Sequence, residues 1–268
     1  MEKIRKNKKK FYYVLLGLSI TLVILVTINF IPTFNLRTEG MSVYQGKWVD
    51  VYYEEESAAA KDVFEYADSS VEQIAKKLGF DEKQPVRVFI YDSQKTMQRK
   101  KYGLVGAMLG LDWYIGDNIG TDVILTSPAN PGPVHTYDDN KYAVLHEIVH
   151  AYVSVLNPKI HLWLTEGCAL YLANGQEFNP KWLEYMSIPS YEDTQTGSHI
   201  KFEKCGGYSF ANTYIEFLDK NYGWEKVLQL IKTEDYMDVF GKTDRELYEE
   251  WVTYIRNLKV NDSLEYNS

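Results

Sequence analysis

The most chemically pointed stretch of this chain is His146-Glu147-Ile148-Val149-His150. On an α-helix, positions i and i+4 share one face, so both imidazoles can reach a single metal ion. Neutral imidazole suits zinc in particular. Glu147 sits about 100° around the helix from His146, so it cannot ligate in the same way. It is placed instead to take a proton from an attacking water. A catalytic zinc needs a third protein ligand and an open position. The extended pattern that places Gly three residues and His six residues past the second histidine fails here, because Val153 and Leu156 stand at those positions.

Glu166 is the candidate third ligand. It lies in Trp163-Leu164-Thr165-Glu166-Gly167, at the start of the next apolar helix. A helix, a short connection through Asn157-Pro158 and an antiparallel return would bring its carboxylate over the histidines. With these residues in view, HEIVH followed by WLTEG resembles the gluzincin metallopeptidases, and within them the peptidase MA-like group. The resemblance covers residues 48–258, strongly at 140–175 and weakly elsewhere, where it rests on Tyr208-Ser209-Phe210, Phe217-Leu218, Tyr222-Gly223 and the helix around Trp251. It implies a thermolysin-like α+β domain holding one Zn2+ per chain on His146, His150 and Glu166, with Glu147 as general base. It also implies Tyr208 as the hydroxyl that helps hold the oxyanion of a tetrahedral intermediate.

Two departures from the family pattern stand out. Leu170 occupies the place of the aspartate that some gluzincins use to orient a zinc histidine. Gly106-Ala107-Met108-Leu109-Gly110 begins like the loop of the aminopeptidase gluzincins but lacks the acid that grips a free amine, so an endopeptidase is expected. In related folds an edge strand pairs with extended substrate, and Val123, Ile124, Leu125 and Thr126 are the local fit to that role. His135, His161 and His199 lack an i+4 partner and read as structural or surface residues. Cys168 reads as a small buried hydrophobe, and an oxidising compartment would permit a Cys168–Cys205 disulfide.

The elements that must position these groups are readable in part. Phe11–Ile31 is a 21-residue run without a charge, closed by Pro32. As a helix it reaches about 32 Å, enough to cross a membrane. The six bases of residues 1–10 hold the N-terminus in the cytoplasm by the positive-inside rule. The run is too long for a signal-peptide core and offers no small-residue cleavage site. The expected organisation is a cytoplasmic tip at 1–10, a membrane anchor at 11–31, a linker at 32–46, the peptidase domain at 47–260 and a tail at 261–268.

Within the domain, Trp48–Tyr53, Val86–Tyr91 and Val123–Thr126 read as strands, and Ser57–Leu78 as a helix stopped by Gly79. Helices dominate after Asn140. Asn140–Leu156 is apolar nearly all round, as a buried helix is. The next helix ends at Asn174-Gly175. Ser209–Tyr222 and Trp224–Thr233 follow, and the last helix opens on the capping box Thr243-Asp244-Arg245-Glu246. Strands first and helices after is an α+β layout, with a cleft between the two halves near residue 140.

The ten N-terminal residues hold six of the 29 bases and one of the 37 acids, which leaves the rest of the chain at -13. That balance excludes nucleic acid as a partner, because binding phosphates needs clustered positive charge. The expected protein is a single-pass membrane metallopeptidase facing outward, acting on peptide or protein substrates. The alternative is an inactive gluzincin-like ectodomain that binds a peptide or a cell-envelope partner.

Overall fold

The computed structural model describes residues 2–173 and 178–265. The first helix, α1 (Glu2–Phe30), carries the apolar run and stands clear of the rest, exposed on every side from residue 9 to residue 28. It is long and apolar enough to cross a membrane. The chain then turns through Ile31–Phe34 and enters the sheet-bearing half: β1 (Ser42–Gln45), β2 (Asp50–Tyr53), α2 (Ser57–Lys77), β3 (Arg87–Tyr91), α3 (Gln94–Tyr102), β4 (Gly116–Ile119) and β5 (Asp122–Thr126). The helical half comprises α4 (Tyr137–Leu156), α5 (Leu162–Leu172), α6 (Tyr191–Thr194), α7 (His199–Lys204), α8 (Gly207–Tyr222), α9 (Trp224–Thr233), α10 (Tyr236–Phe240) and α11 (Asp244–Glu265). The fold is α+β, with one small mixed sheet.

The sheet order is β1-β2-β3-β5-β4, with β2, β3 and β5 parallel and the two outer strands antiparallel. This corrects the edge-strand expectation. Val123 to Thr126 are hydrogen-bonded on both sides, to β3 and to β4, and all four are fully buried. Their β-branched and aliphatic side chains suit an interior strand flanked by helices. The edge on that side is β4, whose Gly-Asp-Asn-Ile sequence shows little intrinsic strand preference.

The stretch expected to be a linker is part of the domain. Residues 42–45 form β1, and Met41 is buried in a small cluster with Phe89, Tyr91, Met97, Tyr114 and Ile124. The Tyr91 hydroxyl donates to the Leu36 carbonyl at 2.6 Å, which ties the segment down. At the other end α11 continues to Glu265, so most of the expected tail is helical. The helix end expected at Asn174-Gly175 lies outside the described residues; α5 itself closes at Leu172.

The main core runs from the sheet through α2, α4, α5 and α8 to α11. Trp251 of α11 is its largest fully buried side chain. Its indole packs edge-on against Trp163 and Tyr214, and its Nε1 donates to Thr213 Oγ1 at 2.9 Å. Trp251→Ala should therefore destabilise the domain by about 3–5 kcal/mol. The check is a lowered denaturant midpoint at unchanged m-value, followed by circular dichroism in detergent micelles. The expected capping box at the start of α11 is present, with Glu246 accepting from Thr243 N and Thr243 Oγ1 accepting from Glu246 N.

Candidate metal centre

Helix α4 starts at a capping box, Thr136 with Asp139, three residues earlier than the apolar pattern suggests. It buries Val144, Leu145, Ile148, Val149 and Val153. That packing leaves one stripe facing the cleft, and the stripe carries His146, Glu147 and His150. The chain turns at residues 157–161 and α5 returns against α4. Glu166 sits in its first turns with only 4% exposure.

The three expected ligands converge. His146 Nε2 and His150 Nε2 are 3.0 Å apart, and Glu166 Oε2 lies 3.3 Å from the first and 3.6 Å from the second. Donor atoms that each sit about 2.0–2.2 Å from one tetrahedral ion are roughly 3.4 Å from one another. The observed separations bracket that spacing. Glu166 Oε2 is also fully buried without a hydrogen bond of good geometry, and a buried orphan of that kind demands a counterpart. An ion at this point would satisfy it, so the residues fit a divalent metal.

Charge favours the same arrangement. Burial alone would raise the Glu166 carboxyl, but the two histidines beside it outweigh that effect and hold it well below the usual carboxylate range. His150 is oriented from behind. Its Nδ1 is 2.9 Å from Thr165 Oγ1, and with the Nδ1 hydrogen given to that hydroxyl, Nε2 keeps its lone pair for a metal. Thr165→Val should weaken divalent-metal binding about 10–100-fold while leaving the helical content unchanged. Competition against a chromogenic chelator would measure it.

Glu147 lies on the same cleft wall and points under the edge strand. A Cβ on Gly116 of β4 would come within 3.1 Å of Glu147 Cγ and 3.3 Å of Oε1, so the glycine leaves the carboxylate its room. Close surroundings push the Glu147 carboxyl up to about 8, opposed by His146 and reinforced by Asp117 and Glu166. Asp117, next along β4, pairs with Lys101 Nζ at 2.9 Å and accepts a short bond from the Tyr114 hydroxyl. These contacts fix the strand edge over Glu147.

Tyr208 lines the cleft from the first turn of α8. Its ring stands edge-on to Phe202 at 4.9 Å, and burial raises its hydroxyl pKa, with Glu166 and Glu147 adding to the effect. Helices α5 and α8 meet closely because residue 167 is glycine: a Cβ there would lie 2.7 Å from the Ala211 carbonyl oxygen.

His199, expected as a structural or surface residue, keeps a 61% exposed side chain, and its Nδ1 reaches within 3.6 Å of Glu166 Oε1, whereas the histidine pair faces Oε2. It approaches from α7, far in sequence from either helix of the pair, and no local spacing could have announced it. The Cys168–Cys205 disulfide is not formed. Cys168 is buried in the core on α5, where burial pushes its thiol up to about 12. Cys205 closes α7, with its Sγ donating to the Phe202 carbonyl at 3.2 Å. Both therefore act as packing residues.

The cleft has a volume of about 910 Å³. Its walls are the α3–β4 side, with Lys101, Trp113 and Asp117, and the helical side, with the histidines, Glu166 and Tyr208. No family model matches the chain, and no curated protein or solved structure matches it either.

Proposed function

We propose that this protein is a membrane-anchored zinc peptidase whose domain faces outward and cleaves within peptide chains. The observation that carries the reading is the convergence of His146 Nε2, His150 Nε2 and Glu166 Oε2 beside a separate carboxylate, Glu147, in one open cleft. Zinc bound there would supply Lewis acidity, activating a water and polarising a peptide carbonyl. Two imidazoles and one carboxylate form the donor set of a catalytic rather than a structural zinc site, which would be closed by four ligands and rich in cysteine.

The chain's own groups account for the remaining steps. Glu147, its ionised form favoured over the raised value of the metal-free site by a divalent cation held beside it, takes a proton from the attacking water and passes it to the leaving amine. The Tyr208 hydroxyl donates to the developing oxyanion. The outer edge of β4, the last strand of the sheet, would meet an extended substrate at Gly116, since the Asn118 carbonyl accepts from Lys101 and the Asn118 N–H donates to Asp117 Oδ1. Residues 106–110 do not line the cleft, so they form no amine-gripping wall, and cleavage inside a chain is the better fit. The bases ahead of the apolar run support an N-terminus in the cytoplasm and a domain outside.

The deciding experiment is zinc content per chain together with cleavage of a peptide library by the full-length protein in detergent. About one zinc and cleavage at internal bonds support the reading. A chain that refuses zinc on reconstitution would overturn it in favour of a peptide-binding ectodomain.

A further inference from the structure

Among the described residues, the exit of α1 is hydrogen-bonded to the domain through Asn29. Asn29 Nδ2 donates to the Tyr102 carbonyl at 3.2 Å, and Asn29 Oδ1 accepts from Val105 N at 3.0 Å. Gly103, between them, has a φ of 78°, and a Cβ there would lie 2.2 Å from the Asn29 carbonyl oxygen. Only glycine permits that approach. Asn29 lies two residues inside the end of the apolar run. With the apolar run spanning the bilayer, residues 102–105 are therefore carried to the boundary between hydrocarbon and headgroups.

The segment held there is apolar and uncovered. Leu104, Val105 and Leu109 are each close to half exposed, Met108 is 84% exposed, and Phe34, just past the end of α1, is 82% exposed. An apolar patch of this kind on an otherwise acidic body marks an interaction surface. The local charge is reversed as well. Residues 94–111 contain Lys95, Arg99, Lys100 and Lys101 and no acid; Lys101 is taken by Asp117 on the cleft wall, and the other three bases suit an anionic lipid surface. Trp113, 53% exposed on the cleft wall, comes shortly after the segment.

We infer that residues 104–109 form a lipid-embedded foot: Leu104, Val105, Met108 and Leu109 enter the membrane interface on the domain's side, seating the cleft against the bilayer. The inference rests on the reading of α1 as a retained membrane span. Its partner is the lipid surface, because the Asn29 contacts leave these side chains at lipid depth with nothing else over them among the described residues.

The test uses the full chain reconstituted into phosphatidylcholine–phosphatidylglycerol vesicles. An environment-sensitive fluorophore is attached in turn at Met108→Cys, Leu22→Cys and Lys226→Cys, each in a Cys205→Ser background; the thiol of Cys168 is buried and does not compete. The expected result is blue-shifted emission at position 108, lost to quencher lipids labelled high on the acyl chain. Emission at 22 should be lost to deep quenchers, and the label at 226, on α9, should stay water-like. Quenching at 22 with water-like, unquenched emission at 108 would overturn the foot and leave the anchor standing. Water-like emission at both would overturn the anchor reading, and the foot with it. Met108 makes little use of its side chain in packing, so the labelled variant should fold.

Discussion

Glu147→Gln should lower peptide hydrolysis by about 10³-fold while the zinc content stays at that of the unaltered chain. The substitution keeps the shape that fits beneath Gly116 and removes only the ability to accept a proton. None of the three converging donor atoms belongs to Glu147, so the ligand cluster is untouched. The measurement pairs single-turnover cleavage of a fluorogenic peptide with elemental analysis of the same sample. Unchanged turnover in the glutamine variant would remove Glu147 from the mechanism. Loss of zinc together with activity would mean that the carboxylate belongs to the site's structure rather than to its chemistry.

The second large effect is expected at Glu166. Outer-shell partners of a metal site cost about 10–100-fold in affinity when removed, and a direct ligand should cost more than that. Glu166→Ala should therefore leave the purified protein with far less than one zinc per chain and no measurable peptidase activity. The buried position sharpens the prediction, because alanine leaves two imidazoles facing each other with no anion to hold a cation between them. A useful companion is Glu166→Gln, which keeps the volume and loses the charge. Retention of full zinc by both variants would show that the ion, if bound, sits elsewhere.

The site was legible from the sequence to the extent that it is local. The i, i+4 pair on α4 follows from helix periodicity, and α2 and α4 show their apolar faces plainly. Glu166 needed the turn at 157–161 and the family resemblance together. Thr165 adjoins Glu166 in the sequence, but its role depends on how α5 docks onto α4, which spacing does not state. The edge strand β4 escaped notice because its Gly-Asp-Asn-Ile residues form a strand only by pairing with β5; tertiary context overrides weak propensity there. The apolar run Val123–Leu125 of β5 stands out for the opposite reason, and its burial excludes it from meeting a substrate. Strand β1 was hidden by its shortness inside a stretch that looked like a spacer. The cysteines illustrate a different limit. Compartment and count permit a bridge, but geometry decides it, and α5 holds one of the two thiols in the core.

The placement of the metal donors on two consecutive helices has a consequence for how the chain folds. Residues 146 to 166 carry all three donors, and their meeting requires closure of only the short connection at 157–161. The parallel pairings of β2 with β3 and of β3 with β5 must instead close over α2 and over the α3–β4 stretch, at a larger entropic cost and a slower rate. The helical pair can thus gather its donors while the sheet is still forming. Gly116, which brings the strand edge over Glu147, belongs to the later event. On the reading proposed above, a chain newly delivered across a membrane would hold its ion before it could bind a substrate, and so would not cut its unfolded neighbours during that interval.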